Sequence, residues 1–159
     1  MTIDIRFAKV EDFETVRKFD PHSEYIPSAR IKNKLNQNEI IISIKDNNII
    51  GILKFSYFWA TRPYIDLIWI SPEYRGQKLG SKMLSFLEEF LINEGHSILH
   101  SSFEEGEEKA FNWHKSNGFI KCGFNSALNL PHENVKEIFL YKPLKNSTEK
   151  KDLGKYPIL

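Results

Sequence analysis

The stretch Ile68-Trp69-Ile70-Ser71-Pro72-Glu73-Tyr74-Arg75-Gly76-Gln77-Lys78-Leu79-Gly80-Ser81 holds the residue types and spacing best suited to chemistry. An apolar run leads into a glycine-bearing turn, and the turn opens an amphipathic helix. A helix start of this kind faces its first backbone N–H groups outward, and the positive end of the dipole adds to them. Gly76 and Gly80 let an anion approach the backbone, and Arg75 and Lys78 add positive charge. The pattern predicts a phosphate or pyrophosphate ligand. A plainer reading assigns the glycines to the turn alone.

Two better-known phosphate loops do not fit. A Walker loop places four residues between its glycines and then Lys-Ser or Lys-Thr. Here three residues separate Gly76 from Gly80, and Ser81-Lys82 follows in the reverse order. The dinucleotide fingerprint G-x-G-x-x-G is absent.

Other reactive side chains carry weaker signals. Asp66 is the only acid between Asn48 and Ser71. On a central strand an acid is costly unless paired or solvated, so Asp66 either lines a cleft or pairs with Arg62 or a neighbour. His96 and His100 straddle a helix end and a strand, unlike zinc ligands on one helical face. Both read as structural or surface residues. Glu104, Glu105, Glu107 and Glu108 surround Gly106; such runs are mostly solvated, and acids favour a helix start. Cys122 is the only cysteine, which excludes an intrachain disulfide framework. It reads as a buried small apolar residue. Trp59, Trp69 and Phe124 read as core or cleft walls rather than platforms for stacked bases.

The elements that must position these residues follow from periodicity. Ile3, Ile5 and Phe7 alternate with polar residues as a half-buried strand. A helix is expected over 10–20 and a second, short one capped by Ser28. Residues 39–45 and 49–59 read as strands joined by the turn Asp46-Asn47-Asn48, and 64–70 as a third. The clearest helix covers 79–94, with Leu79, Met83, Leu87, Phe90 and Leu91 on one face and Gly95 at its end. A strand over 97–103, a helix over 107–117, and strands over 119–128 and 135–142 complete the order. That order is an α/β (α+β layered) domain over residues 1–144. In the last fifteen residues, 145–159, positions 146–152 are all polar and the closing Tyr156-Pro157-Ile158-Leu159 is apolar, and the segment reads as a flexible or loosely docked tail.

Composition agrees with a packed domain. The chain has 159 residues, 41% of them hydrophobic and 13% aromatic, enough for a core and unlike a disordered chain. Twenty-two basic and twenty-one acidic residues leave a net charge of +1, with no global drive toward nucleic acid or an anionic membrane. The start alternates charged and apolar residues, unlike a signal peptide, and no apolar run nears the roughly 20 residues of a membrane span. A cytoplasmic protein without nucleic-acid or membrane partners is the expectation.

Two segments resemble one family. Arg75-Gly76-Gln77-Lys78-Leu79-Gly80 is similar to motif A, Gln/Arg-x-x-Gly-x-Gly/Ala, of the GNAT superfamily of acyl-CoA-dependent N-acyltransferases. Lys78 stands where a glycine is usual. Ala110-Phe111-Asn112-Trp113-His114-Lys115-Ser116-Asn117-Gly118-Phe119 resembles motif B of the same family. The order of elements resembles the family over roughly residues 3–143.

The resemblance implies a mostly antiparallel mixed sheet of six to seven strands with about four helices, its two central strands parting for CoA. It implies acetyl-CoA as cosubstrate, no metal, and an amine acceptor acetylated directly in a ternary complex, by a monomer or homodimer. The pantetheine arm would pair with Ile68, Trp69 and Ile70, and the pyrophosphate would sit on Arg75, Gly76, Gln77, Lys78, Leu79, Gly80 and Ser81. Glu107, at a position often held by asparagine, and Trp113 are further implied cofactor contacts. The acceptor walls would be residues 20–28 and 125–134. Asp66 would act as base, directly or through water. His114 takes the place of the usual tyrosine acid and would protonate the thiolate; a plain alternative is that it only packs or binds CoA. The rival to a transferase is a CoA-binding module without activity, suggested by Lys78, Glu107 and His114. A nucleic-acid-binding domain is a weaker third reading.

Overall fold

Alternating and continuous apolar runs build four strands that pair in chain order in the first half. They are β1 (Asp4–Phe7), β2 (Ile40–Lys45), β3 (Asn48–Phe58) and β4 (Arg62–Ile70), each antiparallel to the next. The computed structural model describes residues 2–144, and the expectation for 145–159 lies outside them. Contacts divide the chain into two compact units between Leu87 and Glu88.

In the first unit, β2 and β3 are joined by Asp46 and Asn47, at φ +50° and +63°. Positive φ at both central residues is the turn whose twist matches a hairpin, and Asp and Asn tolerate it best after glycine. A short 3-10 turn (Val10–Asp12) runs into α1 (Phe13–Phe19), and α2 (Ser28–Asn36) follows. Val16, Ile31 and Leu35 from these helices pack with Ala8, Ile40, Ile42 and Ile52 in one fully buried cluster. Burial of such side chains contributes about 1.5–3 kcal/mol each. Ser28 is not the cap that the sequence suggested. The Pro27 carbonyl accepts from Arg30 and Ile31, so Pro27 caps α2 and Ser28 is its first helical residue.

The helix α3 (Leu79–Asn93) begins in the first unit, burying Leu79, Met83, Leu84 and Leu87. Gly51 of β3 lets it lie close. A Cβ there would stand 2.5 Å from Ser43 Oγ, 2.8 Å from Ile70 Cδ1 and 3.0 Å from Met83 Sδ.

The second unit contains β5 (Ile98–Glu104), α4 (Glu108–Ser116), β6 (Ile120–Asn125) and β7 (Glu137–Pro143). β7 lies between β5 and β6, antiparallel to both. Leu99, Ser101 and Phe103 alternate to the buried face of β5. The strand expected to run to 128 stops at Asn125, whose Oδ1 takes the Ala127 N–H at 2.8 Å and closes a local turn instead. Seven strands and four α-helices among the described residues realise the expected α/β class.

Candidate active site

The loop after β4 has the geometry of an anion cradle. A 3-10 turn (Pro72–Tyr74) leads to Gly76 at φ +75°, and Lys78 follows at φ +60°. Two left-handed residues flanking Gln77 alternate the backbone hand, which turns neighbouring amides toward one concavity. The Lys82 N–H donates to the Lys78 carbonyl at 3.0 Å, the first bond of α3. The amides of Leu79, Gly80 and Ser81 therefore have no carbonyl one turn back within the helix. A Cβ built on Gly76 would meet nothing within 4 Å, so the backbone is uncovered on that side of Gly76. These residues fit the diphosphate of acetyl-CoA.

Side chains brace the loop. Arg75 Nε donates to the Ile70 carbonyl at 2.9 Å, and its guanidinium lies 4.5 Å from the centre of the Trp69 ring. Gln77 Nε2 donates to the Glu73 carbonyl at 3.1 Å. Lys78, where the resemblance expects glycine, adopts the conformation that glycine serves. For an L-residue that conformation costs about 1–2 kcal/mol. Ile68, Trp69 and Ile70 pair with Leu53, Ile52 and Gly51 of β3, so residues 68–81 form one continuous strand–loop–helix unit.

Asp66 sits at a break in the ladder. Lys54 pairs with Leu67 and Phe55 with Ile65, which leaves Asp66 as the extra residue of a β-bulge in β4. A bulge re-aims a side chain out of the pleat. The Asp66 side chain is 27% exposed. Oδ1 accepts from Ser56 Oγ at 2.5 Å, and Oδ2 lies 3.0 Å from the Lys34 ammonium. The partner is Lys34, not Arg62.

His114 lies in α4 and is 5% exposed. Its Nδ1 is 2.7 Å from the Ala110 carbonyl, and its Nε2 is 2.8 Å from Ser101 Oγ. A carbonyl can only accept, so Nδ1 carries the proton and Nε2 accepts from the serine hydroxyl. Phe103, Trp113 and Phe119 surround the ring. Burial pushes the His114 pKa below its ordinary 6.5, outweighing the opposite effect of the Ala110 carbonyl. Glu107 is the N-cap residue of α4, with no side-chain capping bond.

Elsewhere in the second unit, burial raises the Glu104 pKa, helped by Glu133, Glu137 and Glu107. The acidic run around Gly106 thus belongs to a larger group of carboxylates. Cys122 is exposed, not buried as the sequence suggested. It falls within the register shift between Lys121 and Gly123 of β6, a strand exposed along its whole length. No group of three His, Cys, Asp or Glu among the described residues is placed to hold a metal ion.

Sequence reasoning passed over Lys34 and Lys54, and gave Asp20 a place only within the 20–28 acceptor wall. Lys54 and Asp20 form a buried ion pair, Nζ to Oδ2 at 2.5 Å. The lone cation in Ile52-Leu53-Lys54-Phe55 was a signal for it.

The model of the acetyltransferase (GNAT) family matches residues 7–119. The chain belongs to that family. A thialysine N-epsilon-acetyltransferase from Bos taurus is 34% identical over 70 residues, 43% of this chain and 41% of that protein. The matched part thus spans about two-fifths of that curated relative. A GNAT-family acetyltransferase from Bacillus cereus superimposes with a TM-score of 0.70 at 22% identity, over 90% of this chain and 98% of that one. A protein described as a streptothricin acetyltransferase from Bacillus anthracis, solved in complex with acetyl coenzyme A, gives a TM-score of 0.60 at 19% identity. It covers 65% of this chain and 61% of that one. At these identities the two structures speak to the fold of this GNAT protein.

Proposed function

We propose that this GNAT protein transfers the acetyl group of acetyl-CoA to a primary amine that arrives as a cation. The observation carrying this reading is the loop at 75–81, where left-handed Gly76 and Lys78 precede the amides of Leu79, Gly80 and Ser81. Those amides and the Lys78 charge would hold the diphosphate. When bound, acetyl-CoA supplies a thioester open to direct attack by a neutral amine.

The chain's own part in the chemistry is to make the amine neutral. A carboxylate at a bulge, partly exposed and braced by Ser56 and Lys34, suits the removal of a proton from an ammonium group. Each Asp66 oxygen has two lone-pair sites and each uses one on a neighbour, so one on each is left for the acceptor. A carboxylate of this kind favours an acceptor that arrives as an ammonium ion. Thialysine, named for the bovine relative, is such an amine.

His114 is assigned to the framework rather than to protonation of the thiolate. Its neutral ring has no proton at Nε2 to give, and both nitrogens are engaged. Water would then serve as the proton source.

The test is thiol release from acetyl-CoA with thialysine, lysine, simple diamines and a neutral-side-chain tripeptide. Turnover with the diamines or lysine-like amines is expected. Release with none of them, despite acetyl-CoA binding, would favour the binding module without transferase activity. With an accepted amine, Asp66→Asn should lower turnover at neutral pH at least about tenfold. Part of the rate should return as pH rises toward the amine's own pKa. A full rate and unchanged pH profile would remove Asp66 from the chemistry.

A further inference from the structure

The ammonium of Lys34 has three protons and three acceptors. They are Glu39 Oε2 at 3.1 Å, Asp66 Oδ2 at 3.0 Å and the Phe55 carbonyl at 2.5 Å. Lys34 stands one residue before buried Leu35 on α2, so its stem runs along the flank of the helix and its charge reaches the bulge. All three acceptors belong to the region where β3 and β4 lose register, or to the chain that enters it. Phe55 is also tied there by its own N–H, which donates to the Glu39 carbonyl at 3.1 Å.

A second ion pair joins the other helix to the neighbouring strand with the charges reversed. Lys54 of β3 binds Asp20, the residue that ends α1, and Asp20 Oδ1 also accepts the His22 N–H at 2.9 Å. One helix thus sends a cation to β4 while the end of the other sends an anion to β3. The two links tie the helical layer to the bulge from opposite directions. Lys34 therefore reaches Asp66 from a fixed base and does not follow it as a free surface side chain would.

A carboxylate at a bulge has no ladder on its own residue to hold it. Left to itself, a partly exposed aspartate turns about its last torsion, which is broad and two-fold. Here Ser56 takes one oxygen and Lys34 the other, and rotation would break both contacts. We propose that Lys34 is a positioning residue for acetyl transfer, fixing the direction in which the Asp66 carboxylate faces the amine. This rests on Asp66 being the base.

The proposal separates orientation from cofactor binding and from bulk stability. In the full chain, with acetyl-CoA and thialysine as probes, Lys34→Met is expected to lower kcat about tenfold. Acetyl-CoA affinity should be unchanged by calorimetry. The deciding measurement is a double-mutant cycle on kcat with Asp66→Asn, at a temperature where thermal unfolding shows every variant folded. If Lys34 acts through Asp66, Lys34→Met should add less than about twofold to the loss already caused by Asp66→Asn. Losses that multiply would show that Lys34 acts independently of Asp66 and would overturn the proposal. So would a normal kcat for Lys34→Met beside a reduced one for Asp66→Asn, although Asp66 would then keep its role. A normal kcat for Asp66→Asn would remove the base itself, and no turnover of thialysine, lysine or simple diamines by the unmodified protein would remove the acceptor class. Either result takes this proposal with it.

Discussion

Ser101 Oγ lies 2.8 Å from Nε2 of His114, and the Ala110 carbonyl on the other nitrogen leaves the serine as the donor of that bond. The ring is therefore a buried link between α4 and β5. Replacing it by phenylalanine strands the Ser101 hydroxyl, which is itself 2% exposed. His114→Phe should cost about 1–3 kcal/mol of stability, read from denaturant unfolding. Turnover at a temperature where the variant is folded should stay within a few-fold. A loss of about 100-fold with acetyl-CoA affinity intact would instead make His114 the proton donor.

The same burial makes a pH prediction. The native pKa of His114 lies below its ordinary 6.5, so the unfolded state takes up a proton first as pH falls. The contribution is fully present above 6.5 and is lost progressively as pH falls from there through the lowered native value. Melting temperatures of the natural chain and of His114→Phe should therefore converge between about pH 8 and about pH 5. A constant gap across that range would mean that the ring titrates normally and is not buried as described.

Gly51 sets how closely α3 approaches the sheet, and α3 carries the loop. Gly51→Ala should cost about 1–3 kcal/mol through overpacking against Ser43, Ile70 and Met83. Ser43 Oγ is the nearest atom at 2.5 Å, and it is buried without a hydrogen-bond partner. Adding Ser43→Ala should therefore recover part of the loss in equilibrium unfolding. No recovery would place the collision elsewhere.

Much of this architecture was legible because it rests on local rules. Asp46-Asn47 declared its hairpin through residues that tolerate positive φ, and the apolar face of Leu79, Met83 and Leu87 declared α3. The loop at 75–81 was legible as a glycine-bearing turn into a helix because glycine, charge and a helix start fall together in sequence. Asp66 was visible as an isolated acid, but its bulge and its partner were not. Both depend on register between β3 and β4 and on a lysine 32 positions earlier on another element. The exposure of Cys122 was missed for a similar reason. An apolar neighbour such as Ile120 suggests burial, but nothing in the local pattern says that β6 is exposed throughout.

Lys78 offers a test of the loop's backbone. Lys78→Gly should relieve about 1–2 kcal/mol of left-handed strain, partly offset by about 0.4–1 kcal/mol of added freedom in the unfolded chain. Lys78→Ala keeps the strain. The glycine variant should therefore unfold at higher denaturant than the alanine variant. Equal midpoints would show that residue 78 does not hold φ +60° in solution.

Calorimetry on Gly80→Glu tests the proposed seat of the acetyl-CoA diphosphate on the loop at 75–81. Residue 80 lies in the first turn of α3, where a carboxylate suits the helix dipole and the fold should persist by circular dichroism. The same carboxylate would stand where the phosphates approach, adding both bulk and repulsion. Acetyl-CoA affinity should fall by at least about tenfold, or about 1.4 kcal/mol. An unchanged affinity in a folded variant would contradict the account.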